Sequence, residues 1–213
     1  MFFPSKRSDT PPPWAARIHN LAHVTGYPRA LFLAEDGRVV GTWIMGNDYR
    51  VKENADGEKL YGGYPAGYLK RIKALFPEKK RVLHLFSGQV DLDVMPGDTV
   101  DINLSLALRH PPGGGMHYTD DAQTLERVPL EAYDLVLSDP PYSVEDADHY
   151  QTTMIKRNKV MRALQRLRPG AHVVWLDQVL PMYRKASFDV EAVIGMVKST
   201  NHRFRVITIF RRK

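Results

Sequence analysis

The stretch from Tyr133 to Tyr142, Tyr-Asp-Leu-Val-Leu-Ser-Asp-Pro-Pro-Tyr, constrains this chain more than any other. Tyr133 to Leu137 is short and mostly apolar, the composition of a strand buried on both faces. It runs into a carboxylate, two prolines and an aromatic. The prolines fix φ, remove two backbone donors and push Asp139 towards extended backbone. The product is a stiff loop at the carboxyl end of a strand, holding one acceptor and one flat ring. In open α/β sheets that edge is where ligands bind. Taken alone, the tetrapeptide also suits an ordinary strand and a proline turn, so its neighbours decide.

At 213 residues the chain has room for one substantial domain, or one domain and a small appendage. No apolar run approaches the length of a membrane span, and the N-terminus lacks the apolar core of a secretory signal. A cytoplasmic placement is expected. The absence of cysteine removes disulfides, thiolate metal sites and any chemistry that needs a cysteine nucleophile, cytosine-C5 methylation included. Chemistry at an amino nitrogen survives that filter. A net charge of +6 suits a polyanionic partner. The basic residues gather at Lys70–Lys73, Lys79–Arg81, Lys156–Arg168 and Arg203–Lys213. Solvated helix faces account for part of this and a phosphate-binding rim for more.

In chain order, residues 1–13 read as an extended, proline-rich arm. Leu31–Ala34 and Val39–Met45 flank Glu-Asp-Gly and predict a hairpin; 47–58 reads as a loop. Leu69, Ile72, Leu75 and Phe76 have helical spacing, with Pro77 as the stop. The glycine-rich turn before them leaves backbone N–H groups free for an anion. Arg81 to Gly88 is a strand entering a glycine turn. The next strand, Thr99–Ile102, follows too soon for a full crossover helix, so the first helix is expected to be short or missing. Asp101 suits two ribose hydroxyls, or equally the cap of a helix over Asn103–Arg109. Met116–Tyr118 is the third strand, Ser143–Tyr150 an acidic lid, Met154–Leu167 a helix and Ala171–Leu176 a strand. Phe188–Val197 and Arg205–Phe210 close the sheet as an antiparallel pair. His84 and His172 read as core or rim histidines, with no metal-ligand spacing anywhere. Trp14, Trp43 and Trp175 read as packing residues, Trp43 having a base-stacking platform as its alternative.

Asp139-Pro140-Pro141-Tyr142 resembles the catalytic motif of class I S-adenosylmethionine-dependent methyltransferases that act on exocyclic amino groups of nucleic-acid bases, the DNA N6-adenine/N4-cytosine type. Tyr61-Gly62-Gly63 resembles the turn that sits against the cofactor's methionine part. Phe86-Ser87-Gly88 resembles the family's first cofactor motif, with one glycine where two are common. Asp121-Ala122 matches the acidic residue and alanine that meet the cofactor's adenine. The resemblance spans residues 58–213 and implies a Rossmann-like α/β sheet of about seven strands, mostly parallel with an antiparallel closing strand. Residues 1–57 then form an arm and hairpin extension.

The implied activity is methyl transfer from S-adenosylmethionine to the N6 amine of adenine in DNA, with the target base flipped out of the helix. Asp139 and the Pro140 carbonyl would accept from the amine, and Tyr142 would stack on the base. RNA, ribosomal RNA included, and cytosine N4 are the alternatives within the class. A non-catalytic nucleic-acid-binding protein on the same fold is the alternative of another class. No long target-recognition insertion follows Tyr142, so a homodimer or partner subunit is a candidate source of selectivity.

Overall fold

The computed structural model describes residues 13–46, 63–103, 115–149, 152–199 and 203–213. Helix α1 (Trp14–Thr25) ends on Gly26 in left-handed backbone. Strands β1 (Leu31–Leu33) and β2 (Val39–Met45) form the expected hairpin. Helix α2 (Tyr68–Leu75) stops ahead of Pro77 and buries Leu69, Ile72 and Leu75. Then come β3 (Val82–Leu85), β4 (Asp98–Asp101), β5 (His117–Thr119) and β6 (Leu135–Ser138). Helices α3 (Val144–His149) and α4 (Arg157–Ala163) precede β7 (His172–Asp177), β8 (Phe188–Lys198) and β9 (Phe204–Arg212).

The nine strands of the described residues belong to one sheet, in the order β1-β2-β8-β9-β7-β6-β3-β4-β5. From β3 the chain builds outward through β4 and β5 on one side and through β6 and β7 on the other, all parallel. β9 then runs antiparallel to both β7 and β8. Strands β3 to β9 are the Rossmann-like, doubly wound sheet with one reversed strand that the resemblance implied, and β1 of the hairpin is reversed as well. The order reverses between β3 and β6, and a ligand crevice is expected beyond the carboxyl ends of those two strands. β6 supplies Leu135 and Leu137 to the core under α1 and α2, and Val136 to the core on the other face. With both faces covered, its run is apolar throughout rather than alternating.

Three sequence expectations shift. Tyr133 and Asp134 precede the strand: the Asp134 carboxylate accepts the Lys80 and Arg81 N–H groups, which ties β6 to the start of β3. The acidic stretch expected as a lid forms α3, where Ser143 Oγ accepts the Asp146 N–H in the manner of an N-cap. The helix expected over 154–167 is α4 plus a short 3-10 turn, Leu164–Arg166. The missing first crossover helix is a finding too, since residues 86–97 are turns only. His84 Nε2 donates to Met95 O at 3.1 Å and fastens this segment to β3. Its imidazole, pushed down to about 4 by burial, stays neutral. A Cβ on Gly97 would lie 2.7 Å from Val82 O, so only glycine permits the approach of the chain into β4.

The hairpin is hydrogen-bonded into the sheet, with Val39 opposite Ala192 in a parallel pairing of β2 with β8. Trp43 lies on its inner face, 3% exposed, as a core residue and not a stacking platform. Trp175 is fully buried and Trp14 packs edge-on against Phe76. The arm over 1–12, the loop over 47–58 and the helix over 104–109 lie outside the described residues.

Candidate active site

β3 and β6 end side by side, Leu85 opposite Ser138, so the two strongest sequence motifs leave adjacent strand tips at the switch point. On the β3 side the chain turns through Phe86 (φ 54) and Gly88 (φ 45). Left-handed backbone at a phenylalanine is uncommon and strained. Asp101, at the tip of β4, holds the turn: Oδ2 accepts the Gly88 N–H at 3.1 Å and Oδ1 the Asn103 N–H at 3.0 Å. Ser87 is buried and donates its N–H to Val100 O at 3.1 Å. From β5, the Asp120 N–H reaches Asp101 O at 3.1 Å, while Asp121 Oδ1 accepts the Gln123 N–H at 2.8 Å. Ala122 is buried in the core beneath. Gly63 packs beside the turn, since a Cβ there would lie 3.7 Å from Gln89 O. Tyr61 and Gly62 lie outside the described residues. Gly63, Phe86 to Gly88, Asp101 and Asp121 thus line one run of strand tips.

On the β6 side Pro140 and Pro141 are buried and seat the loop. The Tyr142 hydroxyl donates to Asp139 Oδ1. Burial raises the Asp139 carboxyl to about 6, against the hydrogen bond from Tyr142 and the positive charge of Arg205; the nearby Asp177 pushes in the same direction as burial. Burial, and then the Asp139 charge, push the Tyr142 phenol well above its ordinary value. Asp139 is therefore a half-buried acceptor with one lone pair engaged.

Residues that the sequence reading did not single out complete this side. Arg157 on α4 donates through Nε and Nη2 to Asp177 at 2.6 and 3.1 Å. Its Nη2 also reaches the Tyr142 carbonyl at 3.5 Å. Asp177, with a wholly buried side chain, further accepts from Trp175 Nε1 at 3.0 Å. That chain of contacts fixes the loop's exit to the tip of β7. Arg205, at the start of β9, lies 4.2 Å from the centre of the Tyr142 ring. Tyr64 and Tyr68 stack with centroids 5.0 Å apart, and Tyr64 lies 6.2 Å from the His84 ring. Both hydroxyls are buried without a hydrogen-bond partner. Burial, with the Asp139 charge contributing, raises both phenols well above the ordinary value. An i, i+4 tyrosine pair spanning a glycine-rich helix start was the available signal for these two. Among the described residues no group of histidine and carboxylate side chains could hold a metal ion.

The donor set fits S-adenosylmethionine. A carboxylate has about four lone-pair sites, so Asp101 keeps acceptor capacity for a diol beyond its two amide bonds. The Phe86–Gly88 turn and Gly63 bring backbone close to that place. The unpartnered Tyr64 and Tyr68 hydroxyls are the kind of buried group that a bound polar ligand satisfies.

No family model matches this chain, and no curated protein does. Solved structures that align with it include yhhF of Escherichia coli, assigned as a methyltransferase, at 14% identity over 80% of this chain and 97% of that one, TM-score 0.46. The N-methyltransferase NodS of Bradyrhizobium japonicum WM9, in complex with S-adenosylhomocysteine, aligns at 11% identity over 68% and 83%, TM-score 0.44. SMU.1697c of Streptococcus mutans, also assigned as a methyltransferase and in complex with S-adenosylhomocysteine, aligns at 12% over 63% and 88%, TM-score 0.39. Likenesses this distant add nothing to the strand order, and the fold rests on that order.

Proposed function

We propose that the chain is an S-adenosylmethionine-dependent methyltransferase acting on an exocyclic amino group of a nucleic-acid base, the N6 amine of adenine in DNA being the first choice. One observation carries the reading. Asp139, half-buried and held by Tyr142, leaves β6 beside the Phe86–Gly88 turn of β3, so an acceptor and a backbone cradle share one switch point.

The target amine is a poor nucleophile, because its lone pair is delocalised into the ring. Asp139 and the Pro140 carbonyl accept from its two hydrogens, favouring a tetrahedral nitrogen and stabilising the positive charge that develops there. When bound, the cofactor supplies an activated methyl group, whose bond to sulfur breaks as the bond to nitrogen forms. Tyr142 stacks on the base through the ring face that Arg205 leaves uncovered, and its hydroxyl keeps Asp139 aimed. The buried prolines and the Arg157–Asp177 pair hold the loop, so that alignment supplies most of the rate. The surplus proton leaves the nitrogen after transfer, with Asp139 or water as its first acceptor. Asp101 takes the ribose diol, Asp121 the adenine amine, and Gly63, with the Tyr64 and Tyr68 hydroxyls, the amino-acid end.

The experiment is transfer of a tritiated methyl group from S-adenosylmethionine to DNA and RNA in parallel, with Asp139→Ala as control. Label in one polymer that disappears with Asp139→Ala supports the reading. Tight polymer binding with no cofactor binding by calorimetry would replace it with a non-catalytic nucleic-acid-binding protein.

A further inference from the structure

The geometry points to an oxyanion site formed by Arg205 and Lys198 on the acceptor side of Asp139, which takes a phosphodiester of the polynucleotide and so positions the nucleotide presented to Asp139. It rests on the methyltransferase reading and adds to it where the substrate backbone is held. β8 runs parallel to β2, and β9 is reversed, so the end of β8 and the start of β9 lie at the same sheet edge as the tip of β7, where Asp177 is opposite Val206. Arg205 shares a strand face with Ile207 and Ile209, and Lys198 with Met196 and Ile194, all four of these apolar residues belonging to the core under α2. Both cations therefore project to the face that also carries Tyr68.

The Asp139 charge acts on both cations, but neither forms an ion pair among the described residues. Among the described residues no carboxylate lies within ion-pair reach of Arg205 or Lys198, whereas Arg157 is paired with Asp177, and Arg203 reaches Asp146 at 3.8 Å. The Arg205 guanidinium rests on the Tyr142 ring, and its Nε is buried without a hydrogen-bond partner. Burial and the neighbouring Arg205 charge lower the Lys198 ammonium against the opposing charge of Asp139, and a bound anion would relieve the repulsion between the two cations. A guanidinium presents a planar fork of donors, which matches two phosphate oxygens.

Sheet order separates this site from the cofactor. The Phe86–Gly88 turn, Asp101 and Asp121 lie at or beyond the tips of β3, β4 and β5, while Arg205 and Lys198 lie past β7, with Asp139 between the two groups. A carboxylate at the cofactor's amino-acid end belongs on the β3 side of Asp139, where Tyr64 lies beside His84. A phosphate flanking the base on Tyr142 belongs beside Arg205.

The test is anisotropy of fluorescein-labelled DNA and RNA oligonucleotides titrated with the full chain across a salt series, with calorimetry of S-adenosylhomocysteine in parallel. Arg205→Ala is expected to weaken oligonucleotide binding about tenfold and to reduce the salt slope by about one charge. Lys198→Ala shifts both in the same direction by less, and Arg205→Lys keeps the slope while losing part of the affinity. Affinity for S-adenosylhomocysteine stays unchanged in all three. The inference is overturned if Arg205→Ala, folded by circular dichroism, binds the oligonucleotide with wild-type affinity and slope, or loses S-adenosylhomocysteine instead. Should Arg205→Ala not fold, Lys198→Ala and Arg205→Lys decide by the same two readouts. A wild-type chain that binds no S-adenosylhomocysteine speaks against the methyltransferase reading itself, which is a separate outcome.

Discussion

The tips of β3, β4 and β5 and the tips of β6 to β9 satisfy their polar groups in different ways. On the first side the protein completes its own bonds: Asp101 takes the Gly88 and Asn103 amides, and Asp121 takes the Gln123 amide. On the second side Asp177 is bonded in the same way, by Arg157 and Trp175, but around Asp139 partners are missing. Asp139 has a single hydroxyl partner, and Tyr64, Tyr68 and Arg205 each bury a donor without an acceptor. Each such group costs about 1–3 kcal/mol when left unmade. The difference teaches how the fold dispenses with its first crossover helix. Where a helix would brace that turn, a carboxylate on the next strand ties it directly, while the unpartnered Tyr64, Tyr68 and Arg205 donors stand near the acceptor.

The largest expected effect falls on the second side. Asp139→Ala should reduce methyl transfer by about 10²–10³-fold or more, with S-adenosylhomocysteine binding largely kept, as read by single-turnover kinetics and calorimetry. Asp177→Ala should cost about 3–5 kcal/mol of stability in denaturant unfolding, because it strands the Arg157 charge and frees the loop that bears Tyr142. Asp101→Ala sharpens the contrast from the first side. It should weaken cofactor binding about tenfold or more by freeing the Gly88 and Asn103 amides and losing the diol, yet leave oligonucleotide affinity unaltered.

Titration of Asp139 gives stability and activity opposite signs. Its folded pKa of about 6 lies above the ordinary value of 3.8, so the folded chain holds a proton that the unfolded chain has released. Its contribution to stability is complete below about pH 4 and is lost as the pH rises through about 6. Acceptance from the amine needs the ionised form, so transfer should rise through the same interval, which a pH profile of kcat beside a pH series of melting temperatures will read. The smallest effect is expected from Tyr68→Phe: removing a hydroxyl that has no partner should leave the melting temperature unchanged or slightly higher, while cofactor affinity falls.

What the sequence disclosed was local. Leucine and valine runs bounded by glycine and proline marked β3, β6 and the hairpin, and Asp139 could be placed because two prolines follow it. Helix α1 escaped because its buried positions are Arg17, Leu21 and Thr25, a mixed set without an apolar stripe. Arg17 is buried only because distant Glu78 and the Leu75 carbonyl receive it, at 2.6 Å each. The Arg157–Asp177 brace and the seat of Arg205 on Tyr142 escaped for the same reason, since each joins residues from separate elements. The start of α3 was legible and was passed over: Ser143-Val-Glu-Asp is a helix-start signature.

The most direct measurement is mass spectrometry of nucleosides digested from DNA and RNA after incubation with S-adenosylmethionine and either the wild-type chain or Asp139→Asn, a near-isosteric change. The expected result is N6-methyladenine from DNA with the wild-type chain and none above background with Asp139→Asn. Equal methylation by the two chains, or a methylated product with no amino-nitrogen target, would contradict it.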